Sequence, residues 1–257
     1  MDDRMRGRIR GCAVGAAVGD ALGMPLEFGP RQPADRLVRE MRAGRVPSGT
    51  FTDDTEMALA LAESLLAHLP LDPKDLATRF LGWYRMGPDD VGVHTGAVLE
   101  RIDLGEDWEG ASRAAQRVSP GSAGNGSVMR CWPAALAHWS DLEGLLADSR
   151  LQSRVTHAHP ECEAACAFVN AAIYRLLRGS EPKEAVAQAV TAIMRSVGRK
   201  PVQVARDILW KQMDDEGGVG FRPDQLVALF GGFSADALRD RISPGRGRRD
   251  AAAPAEE

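Results

Sequence analysis

Apolar residues along this chain recur at helical spacing. Met57, Leu61 and Leu65 stand at i, i+4 and i+8, with Leu66 beside them. Cys162, Cys166, Val169, Ile173 and Leu177 follow each other at steps of three and four, as do Val186, Val190, Ile193 and Val197. Such steps put side chains on one face of an α-helix, so each segment predicts a helix with that face in a core. Ser180, Glu181 and Pro182 predict the start of the last one: a hydroxyl cap, then proline in the first turn, where its missing N–H costs nothing. The alanine-rich stretches 111–115 and 164–172 suit closely packed helices. Strict apolar/polar alternation of the strand type is almost absent. The pattern predicts an all-α fold of many helices with functional loops between them.

Gly11, Gly15, Gly19 and Gly23 fall every four residues and leave a side-chain-free stripe on a helix. Glycine there costs up to ~1 kcal/mol per position relative to alanine. The repeated cost predicts close approach of another backbone, or a helix that delivers Asp20 and Glu27 to a site. After residue 197 the character changes. Arg199-Lys200-Pro201 ends the preceding helix, Asp214-Asp215-Glu216-Gly217-Gly218 reads as an acidic turn, and residues 243–257 read as a disordered tail. The expected organisation is a helical core over 1–197, a divergent helical segment over 198–242, and the tail.

Composition narrows the function. The chain has 257 residues, 44% of them apolar, enough for one large core. A net charge of −4 and a pI near 5.8 give no pull towards nucleic acid or an anionic membrane. Aromatics at 5% are too few for a base-stacking platform. Four cysteines in a chain this long do not suggest a disulfide scaffold. No apolar run reaches the ~18–20 residues that span a bilayer. The small apolar run Gly11–Gly19 is closed by Asp20 and is glycine- and alanine-rich, unlike a signal peptide. A cytoplasmic enzyme or binding protein is expected.

The sharpest chemical feature is Phe51-Thr52-Asp53-Asp54-Thr55-Glu56, directly before the helix at 57–66. One reading is a helix start, with acids complementing the dipole and threonine capping. The other is a hard-cation site, since Mg²⁺ takes oxygen ligands at ~2.0–2.1 Å and often keeps waters. Glu27 sits on a turn made by Pro25 and nearby glycines. Asp89 and Asp90 follow Gly87-Pro88, as turn caps or as polar groups at the mouth of a site. Gly121-Ser122-Ala123-Gly124-Asn125-Gly126-Ser127 is a flexible loop or an anion-binding one, and matches neither a P-loop nor Gly-x-Gly-x-x-Gly. Thr156-His157-Ala158-His159-Pro160 precedes Cys162 and Cys166, but the spacing is not that of a zinc finger. A single histidine beside a ligand pocket is the better reading.

Taken in order, Gly-Asp-Ala-Leu-Gly-x-Pro-x-Glu, Phe-Thr-Asp-Asp-Thr-x-Met-Ala-Leu, Gly-Asn-Gly-Ser-x-Met-Arg-x-x-Pro and Thr-His-x-x-Pro resemble the ADP-ribosylglycohydrolases, over roughly residues 6–197. The resemblance extends to the dinitrogenase-reductase-activating group of that family. It implies an all-helical domain holding two Mg²⁺ or Mn²⁺ ions in a cleft, and removal of ADP-ribose from a modified side chain or a related small molecule. It assigns Thr52, Asp53 and Asp54 to metal binding. Glu27 becomes the acid on a loop over the site, and Asp90 an aspartate facing the substrate, so Glu27, Asp54 and Asp90 form the expected catalytic set. Gly124, Asn125, Gly126 and Ser127 become the ADP-ribose loop, with His157 near the nucleotide.

The chain departs from the family in one place. The C-terminal Gly-Gly-Asp-x-Asp-Thr segment, whose acids complete the two-metal site, has no match. Gly231-Gly232-Phe233-Ser234-Ala235-Asp236 is the nearest echo. Two expectations follow: a Mg²⁺-dependent hydrolase holding one ion rather than two, or an impaired relative that binds ADP-ribose without cleaving it. A helical enzyme of allylic diphosphates is a poor third, because neither acidic cluster lies mid-helix on one face.

Overall fold

The computed structural model describes residues 2–30 and 38–196; the expected segments 198–242 and 243–257 lie outside the described residues. Met1–Ile193 pack as one unit. Among the described residues there are nine α-helices and no strand: α1 Asp3–Gly23, α2 Asp53–Ala67, α3 Pro73–Arg85, α4 Val93–Asp103, α5 Trp108–Val118, α6 Pro133–Ala137, α7 Leu142–Arg154, α8 Pro160–Leu177 and α9 Pro182–Ser196. The expected all-α class is what the chain adopts.

Helix α2 lies at the centre. Its Met57, Leu61 and Leu65 are buried against Leu76, Phe80 and Trp83 of α3, Leu99 of α4, Ala134 and Ala135 of α6, and Leu145 of α7. Leu66 departs from expectation: it is 88% exposed, because it falls one residue past the buried row. In α8, Cys162, Cys166 and Leu177 of the predicted row are buried while Val169 and Ile173 are only partly covered, and Asn170 is buried beside them, its amide donating to the Cys131 carbonyl (3.0 Å) and the Ser149 hydroxyl (2.8 Å). Helix α9 starts at Pro182 and buries Ala185, Ala189 and Ile193, with Val186 and Val190 only partly covered.

The glycine stripe of α1 also differs from the expectation of close packing. A Cβ added at Gly11, Gly15, Gly19 or Gly23 would meet nothing within 4 Å among the described residues. The second expectation for this helix fares better, because α1 carries Asp20 to the start of α2. Thr52 is extended (φ −121°, ψ −160°) at the N-cap position, yet its own hydroxyl does not cap the helix. Asp20 supplies the cap from another element. Its carboxylate accepts from the Thr52 N–H (2.9 Å), the Thr55 N–H (3.2 Å), the Thr52 hydroxyl (2.8 Å) and the Thr55 hydroxyl (2.6 Å). Free N–H groups at a helix start need such acceptors, and a negative charge suits the dipole there.

Removing that carboxylate should cost more than an ordinary cap. Asp20→Ala is expected to lower the unfolding free energy by about 1–3 kcal/mol, read by urea or thermal denaturation. An unchanged midpoint would show that the four hydrogen bonds do not hold α2 in place.

Candidate functional site

Two groups of polar residues meet near the start of α2. The first is acidic. Thr52 and Asp53 are buried, Asp54 is partly covered, and Asp53 shares a hollow with Arg45, Thr52, Glu56 and Asp90. Glu56 is held by the Trp83 indole N–H (2.7 Å). Glu27 follows a short 3₁₀ turn at Met24–Leu26, and Asp90 lies just before α4. Both are drawn together by Arg45, whose Nη2 donates to Glu27 and Nη1 to Asp90.

The electrostatics are unfavourable as the chain stands. The Asp53 carboxyl is pushed up to about 7, by burial first and then by the charges of Asp90, Asp54, Glu27 and Asp20. Asp54 is pushed up to about 6, again by burial first, then by Asp20 and Glu27. Neighbouring carboxylates in a poorly hydrated place cannot all ionise freely. A divalent cation reverses that balance by favouring the charged forms. Thr52, Asp53 and Asp54 carry oxygen donors that could hold one. Among the described residues, no three His, Cys, Asp or Glu side chains converge as a metal cage. An ion there would need further oxygen ligands, such as the Thr52 hydroxyl and water, and Mg²⁺ commonly keeps waters.

The second group surrounds the loop Gly124–Ser127, which ends in a 3₁₀ turn at Asn125–Ser127. Arg130 organises it from beneath. This side chain is fully buried, stacks over Phe80 (4.4 Å), and donates to the carbonyl of Gly126 (3.0 Å), to Gln152 Oε1 (3.3 Å) and carbonyl (3.2 Å), and to the Thr156 hydroxyl (2.7 Å). Burial lowers its pKa to about 10, so it stays charged at neutral pH. The Thr156 hydroxyl also hydrogen-bonds His157 Nδ1 (2.8 Å). Burial, then the Arg130 and His94 charges, push His157 well below the usual histidine range, and it is neutral. Its ring lies close against Gly126, where a Cβ would sit 3.0 Å from His157 Cε1 and 3.3 Å from Thr95 Oγ1, so a side chain there would push on both.

The structure thus brings Gly124, Gly126 and His157 into one place and Glu27, Asp53, Asp54 and Asp90 into another. The segment from Asp90 to Thr95 joins them, and the Arg130 guanidinium feels the charge of Asp53. Ser127 stands apart from the rest of its loop. Its hydroxyl is buried, accepting from Ser153 (2.8 Å) and the Cys166 thiol (3.4 Å), so its side chain faces the core. The residues once weighed for zinc have other partners: His159 accepts from the Glu161 N–H (3.2 Å), and the Cys162 thiol donates to the Gly124 carbonyl (3.4 Å). All four cysteines are free.

Sequence reasoning missed three contributors. Arg45 has no motif around it. Arg130 stands in the Met-Arg of the loop motif, but its role needed the buried partners. His94 has a ring 4.8 Å from that of His157 and a buried Nε2 with no hydrogen bond among the described residues.

A pH dependence follows from the raised carboxyls. Between the unfolded value near 3.8 and the folded value of about 7, the native chain binds the Asp53 proton more tightly than the unfolded chain. Stability from this group is therefore greatest at low pH and is lost as pH rises through that window. In cation-free buffer, Asp53→Asn is expected to melt higher than the parent at pH 8, by roughly 2–6 °C. The gap should close towards pH 4. A gap that does not depend on pH would show that Asp53 is not electrostatically strained.

The chain matches the ADP-ribosylglycohydrolase family over residues 1–243. It is 32% identical over 237 residues to the ADP-ribosylarginine hydrolase Tri1 of Serratia proteamaculans, covering 86% of this chain and 60% of that protein. It is 40% identical over 149 residues to the ADP-ribosyl-[dinitrogen reductase] glycohydrolase of Rhodospirillum rubrum, covering 56% of this chain and 48% of that one. A solved ADP-ribosylglycohydrolase-related protein complex superposes with a TM-score of 0.64 and 34% identity, over 96% of this chain and 78% of the other. The chain spans 60% or less of the length of these two curated relatives. The chain belongs to the ADP-ribosylglycohydrolase family.

Proposed function

We propose that this protein removes ADP-ribose from an ADP-ribosylated protein side chain, or from a related small molecule, by divalent-cation-assisted cleavage of a glycosidic bond. One observation carries the reading: Arg45 ties Glu27 to Asp90 at the hollow that contains Asp53, and burial with the charges of these neighbours pushes the Asp53 and Asp54 carboxyls up. The names of the relatives, ADP-ribosylarginine hydrolase and ADP-ribosyl-[dinitrogen reductase] glycohydrolase, support the bond and the sugar.

Thr52, Asp53 and Asp54 would hold Mg²⁺ or Mn²⁺, which supplies charge stabilisation and fixes ribose hydroxyls and water. Cleavage breaks the bond from C1″ to the leaving group and forms one from C1″ to water oxygen. A proton passes from water to the leaving group in the same turnover. The transition state has oxocarbenium character, so nearby carboxylates stabilise it. Glu27 or Asp54 orients the water or carries its proton. Asp90 faces the leaving group. Backbone N–H groups of the glycine loop hold the diphosphate-ribose portion, and neutral His157 contributes a hydrogen bond rather than a charge. Among the described residues no helix is long and apolar enough to cross a membrane, in keeping with a cytoplasmic site of action.

A second reading keeps the cleft and loses the chemistry: a relative that binds ADP-ribose only. Arg45 favours it, because it already engages Glu27 and Asp90. Release of ADP-ribose from modified protein separates the two. Turnover that depends on Mg²⁺ and falls at least ~10²-fold in Asp53→Asn supports the hydrolase. Turnover unchanged in that variant removes the metal mechanism. No turnover, with ADP-ribose still raising the melting temperature, supports the binder.

A further inference from the structure

Arg45 lines the acidic hollow, and neither the motifs nor the proposed chemistry accounts for it. Its backbone is anchored on both sides. At Gly44 a Cβ would come 2.8 Å from Met24 Sδ and 3.0 Å from Pro25 Cα, so this stretch of chain lies tightly against the turn that precedes Glu27. Val46 is buried, and its carbonyl accepts from the Gly44 N–H (3.0 Å). The guanidinium sits 5.3 Å from the centre of the Phe28 ring. Phe28 itself is 93% exposed, with a positive φ of 60° that turns the chain after Glu27. From this seat one guanidinium reaches two carboxylates far apart in sequence, Glu27 and Asp90.

We propose that Arg45 is a built-in counter-cation: it spans Glu27 and Asp90 and competes with a divalent ion for the negative charge of the site, setting how tightly that ion is held. The inference rests on the reading that Thr52, Asp53 and Asp54 bind a divalent cation. An isolated exposed ion pair would contribute almost nothing. Here the geometry differs, because the planar fork engages two acids at once and a lysine ammonium does not reproduce that. The same two acids are among the charges that crowd Asp53. With Arg45 in place their field is partly cancelled; without it they add to the attraction felt by a doubly charged ion. Arg45 thereby acts as a positioning residue, holding the Glu27 turn against the segment before α4 while no second cation bridges them.

The test is Mn²⁺ binding to the full-length chain at low ionic strength, by calorimetry and by loss of the free-ion electron paramagnetic resonance signal. Arg45→Gln is expected to bind Mn²⁺ about tenfold more tightly than the parent. Arg45→Lys, a milder change, should move the same way by about threefold. Arg42→Gln removes an equal charge three residues away and should stay within about twofold, which separates the clasp from net charge. Circular dichroism checks that each variant folds. Equal or weaker binding by folded Arg45→Gln, or an equal gain in Arg42→Gln, overturns the clasp and leaves the metal reading standing. Failure of every chain, the parent included, to bind Mn²⁺ overturns the metal reading and the clasp with it.

Discussion

The start of α2 has to accommodate more carboxylates than its surroundings can neutralise. One of them, Asp20, is satisfied outright by two N–H groups and two hydroxyls. Two more, Glu27 and Asp90, share Arg45. Asp53 and Asp54 remain, and burial with mutual repulsion raises both. Repulsion of this kind persists in a fold only where something else holds the backbone. Here the burial of Met57, Leu61 and Leu65 fixes α2 in the core, so its acidic end cannot relax away.

The neighbouring loop shows the opposite solution. Arg130 is a cation buried among neutral acceptors and an aromatic face. Each of its donors is placed, and one fixes the Gly126 carbonyl while another reaches His157 through Thr156. Buried charge is costly unless its hydrogen bonds are made. The outcome is a rigid seat for the loop, on which backbone N–H groups can be presented to a ligand. Thr95, in the first turn of α4, borders Gly126, and Asp90 of the acidic group lies just before that turn.

Much of this was legible in the sequence. Helical spacing located α2, α8 and α9, and the adjacent aspartates marked the helix start that now gathers the acidic group. Other parts depended on contacts between distant segments. The cap of α2 comes from Asp20, on another helix, although Thr52 stood in the capping position. Arg45 reads as an ordinary surface arginine until Gly44 is seen pressed against Met24. Ser127 belongs to the loop motif, yet its hydroxyl turns inward to Ser153. The glycine stripe of α1 meets no other backbone among the described residues, and spacing alone does not say whether one approaches.

The central claim is that a divalent ion resolves the repulsion at Asp53 and Asp54 beside a nucleotide-sugar site. Crystals grown with Mn²⁺ and ADP-ribose, measured for anomalous scattering at the manganese edge, test it most directly. The account predicts a manganese peak at about 2.2 Å from oxygens of Asp53 and Asp54, with the diphosphate against residues 124–126. Ordered ADP-ribose in that loop with no metal peak at either aspartate, or manganese bound elsewhere on the chain, would contradict it.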